Sequence, residues 1–374
     1  MPDKHLHIIA FDIPVPINYG GAIDIFYKIK YLHQAGVKIH LYCFEYDRKP
    51  SELLNSLCEE VHYFKRNISK TKLFNRKPYI VTTRDSKELL SLLLHDDYPI
   101  LFEGLHTTSF LNDKRIRNRR KIVRTHNIEH DYYYNLAQVE KNLFKRYYFL
   151  NEAGKLARYE KVLDYAQGIA AISKNDTAYF SKKYKKAQTI SAFHPNEVVS
   201  SKPGRGSYAL YHGSMDVGEN NQAAMFLVEQ VFNDSEIPLI IAGNKPSKEL
   251  KNAIAGRANI QLKTNINSDD IYELIADAHV NILPTFQSTG IKLKLLAALF
   301  RGRYCLVNTP MIDKTGLESI CICRDTAESM KQELKSLFEK DFDLNEISKR
   351  NEILLCNGFS NDHNTQALIN MLFY

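Results

Sequence analysis

Residues 6–36 read LHIIAFDIPVPINYGGAIDIFYKIKYLHQAG, and VKIHLYCFEY follows at 37–46. LHIIAFDIP is a continuous apolar run of strand length. NYGGA is a glycine turn. AIDIFYKIKYLHQAG carries apolar residues at helical spacing and ends at Gly36, a C-terminal cap signal. A strand, a glycine turn, a helix and a second apolar strand make a βαβ unit. Near-continuous apolar strands of this kind belong to a parallel sheet covered on both faces.

The alternation continues outward from this unit. VHYF, PILFEG, KIVRTHN, GIAAIS and QTISAF read as short apolar strands. Between them lie helical SKELLSLLLHDD, NDTAYFSKKY and one long helical stretch over 128–167. SSKPGRGS (200–207) reads as a linker, because it is small, Pro- and Gly-containing and sits where the charge balance changes. The pattern then restarts with SYALYHGS, NNQAAMFLVEQVF, PLIIAG, SKELKNAIAG, IQLKTN, SDDIYELIADA, VNILP, IKLKLLAALFRG, YCLVN, ESICIC and TAESMKQELKSLFE, and closes on a helix, NDHNTQALINMLFY. The expected fold class is α/β, with two doubly wound Rossmann-like domains facing across a cleft. Ligands of such sheets bind at the carboxyl ends of the strands.

The chain of 374 residues suits two domains better than one core. Hydrophobic residues are 44% and charged residues 25%, ordinary for a globular protein. No run approaches the roughly eighteen apolar residues of a membrane span. The start, MPDKHLHIIAFDIPVP, lacks the marks of a signal peptide and reads as a first strand. The six cysteines are scattered without a C-x-x-C pair, which argues against zinc and for reduced thiols in the cytoplasm. Residues 1–200 carry 32 Lys and Arg against 22 Asp and Glu, a net +10, and the remainder carries a net −3. The basic first half admits an anionic substrate, an anionic membrane or nucleic acid as partner.

Four loops carry chemistry. In NYGGAI, Gly20 and Gly21 permit positive φ and close approach of a ligand to the backbone, and the helix that follows offers N–H groups to an anion. Taken alone the loop reads first as a plain βα turn, and it does not match G-x-G-x-x-G. RTHNIEHDYY (124–133) puts His126 and Asn127 at a strand's carboxyl end, with Glu129 and His130 just beyond. His126 there is an acid, base or hydrogen-bond donor, or else the group is helix capping with Asn127 as N-cap. ALYHGSMDVGENN (209–221) offers Gly213 and Ser214 as a phosphate-binding turn or a capped loop. TGIKLKLLAALFRG (289–302) opens a helix with Gly290 and sets Lys292 and Lys294 near its N-terminus, where the macrodipole already favours an anion. Two cations there suit a diphosphate. Lys294 is alternatively a solvated side chain. RIRNRRK (115–121), KKYKK (182–186) and KNLFKRYYFL (141–150) are either solvated surface or a membrane-facing or acceptor-facing side, without base-reading motifs.

NYGGA, R-x-HN-x-E, YHGS…N, IAG and P-x(5)-G-I-K-x-K occur in this order. Together they resemble retaining nucleotide-sugar glycosyltransferases with the glycosyltransferase B fold, the large bacterial group that builds surface polysaccharides. The resemblance implies an acceptor-binding N-terminal domain over 1–199, joined by a returning helix at about 358–374, and a nucleotide-sugar-binding domain over 207–357. It implies His126 and Lys292 as catalytic residues. Gly20, Gly21, Gly213, Ser214, Thr289, Gly290, Ile291 and Lys294 would contact the donor, and Asn127 and Glu129 the acceptor. It implies no metal and no cofactor beyond the nucleotide-diphosphate sugar, since basic side chains and helix N-termini stabilise the leaving diphosphate. Many members carry two glutamates eight positions apart where this sequence has Thr289 and Ala297, and an Arg and a Lys in the loop that here reads GSMDVGENN.

The expected function is transfer of a sugar from a nucleotide-diphosphate donor to a glycan or lipid-linked acceptor, retaining and metal-independent. The expected location is cytoplasmic, peripheral at the inner membrane face, with no nucleic acid partner. The alternatives are a non-catalytic sugar-nucleotide or glycan-binding protein that keeps the fold, and a sugar-nucleotide 2-epimerase.

Overall fold

The first strand, β1 (Lys4–Ala10), puts Leu6, Ile8 and Ala10 on one face and Ile9 on the other, and each lies in a separate apolar cluster. That two-sided burial is what a doubly wound sheet requires. The structure is a computed structural model describing residues 3–286 and 293–374. They form two compact units, 3–195 with 358–374, and 196–286 with 293–357.

In the first unit β1 is joined by β2 (Val37–Glu45), β3 (Glu60–Lys65), β4 (Ile100–Glu103), β5 (Lys121–Thr125), β6 (Gly168–Ala171) and β7 (Ala187–Thr189), in the order β3-β2-β1-β4-β5-β6-β7. In the second, β8 (Ala209–His212), β9 (Leu239–Ala242), β10 (Ile260–Lys263), β11 (Val280–Leu283), β12 (Tyr304–Val307) and β13 (Ile322–Cys323) run β10-β9-β8-β11-β12-β13. Neighbouring strands pair in parallel throughout, as between β1 and β4 and between β8 and β11. The chain order reverses between β1 and β4 and again between β8 and β11. These are the topological switch points where doubly wound sheets bind ligands.

The closing helix, Asn361–Phe373, belongs to the first unit. Leu368, Ile369 and Leu372 enter the cluster built by Leu6, Ile25, Ile29 and Ile122. Burying three such side chains is worth on the order of 5 kcal/mol. Polar bonds fix the helix in register. Asn361 Nδ2 donates to His194 O (2.8 Å), Ser191 N donates to Asn364 Oδ1 (3.2 Å), and Arg120 Nε donates to Met371 O (2.8 Å).

Several local expectations are corrected. The long helix over 128–167 is three segments: Glu129–Val139, Leu143–Tyr159 and a 3₁₀ turn, Glu160–Tyr165. Glu140 is extended (φ −78°, ψ 123°), and the Asn142 side chain accepts from Phe144 N (3.0 Å) and Lys145 N (3.1 Å), so a fresh helix starts there. Asn127 is not an N-cap. Ile128 holds that position without a side-chain bond. Residues 200–207 are bound into the second unit: Ser200 N donates to Phe300 O (2.7 Å), Ser201 Oγ to Gly302 O (2.6 Å), and Gly204 pairs with Phe342. ESICIC holds a 3₁₀ turn at Glu318–Ile320 and only two strand residues, Ile322–Cys323.

The basic segments are partly structural. Arg119 and Lys121 are buried, donating to Tyr98 O (2.9 Å) and Leu111 O (3.1 Å) respectively. Lys183 pairs with the buried carboxylate of Glu160 at 2.8 Å, and Lys186 Nζ donates to Asp164 O (2.9 Å). KNLFKRYYFL differs: Leu143, Phe144 and Tyr147 are 75%, 89% and 74% exposed, with Lys141, Lys145 and Arg146 exposed beside them.

Candidate active site

The carboxyl ends of β1, β4 and β5 meet at the switch point of the first sheet. β1 runs on into Phe11, β4 ends on Glu103, and β5 leads into His126. His126 Nε2 donates to Glu103 Oε2 at 2.9 Å, and its Nδ1 lies 3.9 Å from Asp24 Oδ2. The bond to a carboxylate puts the proton on Nε2 and fixes the ring. Behind the imidazole the charges are paired. Lys28 Nζ donates to Asp24 Oδ2 (2.9 Å) and Glu103 Oε1 (2.7 Å). Arg124 Nη2 donates to Asp24 Oδ1 (2.8 Å), and Arg124 also bonds the carbonyls of Ile190 and Ser191. All four charged side chains are essentially without exposure.

Burial alone would raise the pKa of both carboxyls. Arg124, Lys28 and His126 outweigh it at Asp24, and Lys28 with His126 at Glu103, so both are held below the usual carboxylate range. Two anions and two cations balance, leaving His126 as the member that reaches partial exposure, 10%. Asp24, Glu103 and His126 each offer one ligand atom within 4.8 Å of the others. Lys28 already bridges both carboxylates, however, and a divalent ion would sit against its ammonium. The donor set fits an ion-pair network rather than a metal.

Gly20 and Gly21 begin the helix Gly20–Gln34, whose N-terminus has no side-chain cap and no acid in its first turn. Neither glycine has positive φ, which corrects the conformational reading. Gly21 is packed closely: a Cβ there would lie 2.7 Å from the Phe11 ring and 3.0 Å from Tyr19, so those rings would have to shift. Arg48 stacks over Tyr19 at 4.6 Å, and Tyr19 OH donates to Asp12 Oδ2 (3.0 Å), which holds the preceding loop.

Asn127 is half-buried beside His126, while Glu129 is buried as the first residue of its helix. Burial pushes the Glu129 carboxyl up to about 8, against the lowering effect of Arg84. His130 turns away from this group, its Nδ1 lying 3.2 Å from Glu160 Oε2.

In the second unit, Gly213 follows β8 and donates its N–H to Ala242 O (3.0 Å). The two glycine turns touch: a Cβ at Gly243 would lie 1.8 Å from Gly213 O. Ser214 Oγ donates to Asp216 Oδ1 (2.5 Å), and Ser214 O accepts from Asn220 Nδ2 (2.9 Å). Lys294 is not a solvated side chain. Its Nζ donates to Asn220 Oδ1 (2.7 Å) and sits 5.2 Å from the centre of the Tyr211 ring. Burial, with Lys294 adding to it, lowers His212 to about 3, and the buried His212 Nε2 has no partner among the described residues. Glu219 is buried beside Thr285, whose hydroxyl donates to it. Thr289, Gly290, Ile291 and Lys292 lie outside the described residues. Ala297 is a buried methyl among Leu210, Ile240, Ala242 and Ile275.

The sequence reading missed Asp24, Lys28, Glu103, Arg124, His106, His212 and Glu219. A signal existed for some of them. Arg124 and Glu103 are charges inside apolar strands, KIVRT and ILFE, and Asp24 and Lys28 are four apart on a face otherwise made of Ile25, Ile29 and Leu32. A buried charge needs a partner.

No family model matches the chain. An uncharacterized 44.6 kDa protein in the cps region of Klebsiella pneumoniae is 27% identical over 321 residues, 81% of this chain and 82% of that protein. The α,α-trehalose-phosphate synthase (UDP-forming) of Burkholderia xenovorans, in complex with glucose-6-phosphate, aligns with a TM-score of 0.63 and 11% identity over 98% of this chain and 99% of its own. A glycosyltransferase from Rickettsia africae ESF-5 aligns with a TM-score of 0.62 and 12% identity over 100% of this chain and 98% of its own. Two doubly wound parallel sheets and these likenesses over nearly the whole chain identify the architecture as the glycosyltransferase B fold.

Proposed function

We propose that the protein is a glycosyltransferase that moves a sugar from a nucleotide-diphosphate donor to a glycan or lipid-linked acceptor in surface polysaccharide synthesis. The observation that carries this reading is the posed imidazole. His126 stands at the switch point of the first sheet, its ring fixed by Glu103, with Asp24, Lys28 and Arg124 buried behind it. A buried ion-pair network is costly and weak as a source of stability, so its retention here is better explained by positioning. Residues held at such cost collect at functional sites. The relative in a cps region accords with a polysaccharide product, and the UDP-forming synthase of the same fold accords with a nucleotide donor.

In this reading His126 hydrogen-bonds the transferred sugar, and Asn127 and Glu129 face the acceptor. The uncapped helix start at Gly20–Gly21 offers its N–H groups to the diphosphate. Gly213, Ser214 and Lys294 bind the donor from the second unit, together with Thr289, Gly290 and Ile291. Lys292 neutralises the charge that grows on the leaving diphosphate. Transfer proceeds with retention and without a metal. The exposed stripe of Leu143, Phe144 and Tyr147 among Lys141, Lys145 and Arg146 suits a peripheral contact with the inner membrane face, where a lipid-linked acceptor would be met.

A second reading is favoured by one observation. Ala297 occupies, as a buried methyl, a place where many such enzymes carry a carboxylate. A non-catalytic sugar-nucleotide or glycan-binding protein would tolerate that loss. Thermal-shift screening with UDP-, GDP- and dTDP-sugars separates the outcomes when paired with release of free nucleoside diphosphate. A ligand at a hundred times its Kd adds about 2.7 kcal/mol of stability. Stabilisation by one nucleotide class with release of its diphosphate supports transfer. Stabilisation without release at any acceptor supports the binding protein, and no stabilisation by any nucleotide sinks transfer and nucleotide-sugar binding together, leaving only glycan binding.

A further inference from the structure

We propose that His106 and Glu129 together hold one hydroxyl group of a carbohydrate acceptor. The inference rests on the glycosyl-transfer reading only for where that carbohydrate comes from. Glu129 is 3% exposed, and its Oε1 has no hydrogen-bond partner among the described residues. The Nδ1 atom of His106 is likewise buried and unpartnered. The two atoms are 4.0 Å apart. That is too far for a direct bond, yet a single oxygen at about 2.8 Å from each fits the span. Buried polar atoms are almost always satisfied. Two orphans 4.0 Å apart are satisfied together by one third group placed between them.

The local backbone is built to put them there. Gly104 ends the β4 turn at φ +69°, and a Cβ on it would lie 2.7 Å from His106 Nδ1. Only glycine lets the imidazole fold back over that turn. Glu129 arrives from the β5 side, as the first residue of its helix. The Phe11 ring, from the β1 side, lies 4.9 Å from His106 and 5.3 Å from His126, centre to centre. The pair is thus one aromatic ring away from the imidazole assigned to the reacting sugar, at the carboxyl ends of the same three strands.

The chemistry of the pair selects the ligand. The groups that face Glu129 are His106, Arg84 from the segment after residues 79–82, Asp176 on the helix Lys174–Tyr184, and Tyr133 on its own helix. Arg84 is occupied by the carbonyls of Phe11 (2.8 Å) and Ile80 (2.7 Å). Burial, joined by Asp176, takes the Glu129 carboxyl up to about 8. Burial, joined by Arg84, His126 and Arg66, holds His106 well below its ordinary range. At neutral pH the pair is a carboxylic acid and a neutral imidazole. It offers one donor and one acceptor and no charge, which suits an alcohol rather than a phosphate or a metal ion.

The test is binding of methyl glucosides, galactosides and mannosides to the full chain, read by saturation-transfer NMR and titration calorimetry. We expect at least one glycoside to bind at pH 7, with Glu129→Leu and His106→Phe each weakening it at least about tenfold, the loss of one hydrogen bond. Glu129→Gln keeps a donor and an acceptor in place and should stay within about threefold. The proposal is overturned if no glycoside in the panel binds. It is also overturned if the Leu and Phe variants bind like wild type, which would mean a structural water only, or if Gln is as weak as Leu. Stabilisation by UDP is measured in parallel. Its loss with glycoside binding intact removes the transfer reading and leaves this site standing, and the reverse removes this site alone.

Discussion

Glu129→Gln should make the protein more stable, and increasingly so as pH rises. The carboxyl ionises at about 8 in the folded chain against an ordinary 4.5. Between those values the folded state holds a proton that the unfolded state has released. The stability gained from a neutral carboxyl is fully present below 4.5 and is lost as pH climbs toward 8. Each pH unit in that window costs the wild type about 1.4 kcal/mol. The sum is about 3 kcal/mol at pH 7 and about 5 kcal/mol above pH 8. Glutamine carries no charge to bury and pays none of this. At about 2–4 °C per kcal/mol for a domain of this size, the variant's melting temperature at pH 7 should rise by about 6–12 °C. Urea denaturation of both proteins at pH 4.5, 7 and 9, followed by tyrosine fluorescence, reads the difference directly. The curves should nearly coincide at pH 4.5 and separate steadily above it. A difference that does not change with pH, or a Gln variant less stable at pH 9, would refute the reasoning.

Arg124→Met should destabilise by about 3–5 kcal/mol in urea, because it leaves Asp24 buried with Lys28 as its main counter-charge; a loss below about 1 kcal/mol would show that the network relaxes. Gly243→Ala should cost about 1–3 kcal/mol or more and weaken nucleotide-sugar binding, since its Cβ would press on Gly213 O at 1.8 Å. An unchanged melt would contradict that packing. Lys292→Ala should lower turnover by about 2–4 kcal/mol at the transition state with little change in melting temperature; wild-type turnover at limiting and saturating donor would remove its role. The full chain should co-sediment with anionic vesicles at low salt, each basic residue near the surface adding about 1 kcal/mol. Phe144→Glu or reversal at Lys141 and Lys145 should release it. Recovery in the supernatant at low salt would leave the stripe without a membrane role.

Periodicity carried the fold because the central strands are buried on both faces and the helices that flank them on one. Apolar runs such as LHIIA and LIIA left little else for residues 6–10 and 239–242 to be. Boundaries were less legible. Asn142 breaks the long helix through a side-chain bond that competes with helix continuation. Residues 200–207 have a linker's composition because tight backbone contacts demand glycine: a Cβ at Gly206 would lie 2.3 Å from Asp277 O. The candidate site was proposed from His126 and the glycine turns, which loop position alone singles out. Its supporting shell was not. Asp24 and Arg124 are far apart in the chain yet bond at 2.8 Å, and Glu103 is tied to Asp24 through Lys28, which donates to both. His106 gave no motif, since its part depends on the fold-back allowed at Gly104.

The closing helix sets an order of events during synthesis. Leu368, Ile369 and Leu372 complete a core begun by Leu6 and Ile8. Residues 196–357 leave the ribosome before them and carry a sheet and a core of their own. The half of the chain made first must therefore wait, with an apolar groove open beside the helix Gly20–Gln34, while the half made second is free to finish. Closing that groove joins residues more than three hundred positions apart, a slow, non-local step. A chain halted anywhere before residue 361 would carry an exposed sticky surface for chaperones and proteases to find. The arrangement makes arrival of the helix Asn361–Phe373 a checkpoint: the earliest-made domain is sealed only in molecules whose translation has passed that helix.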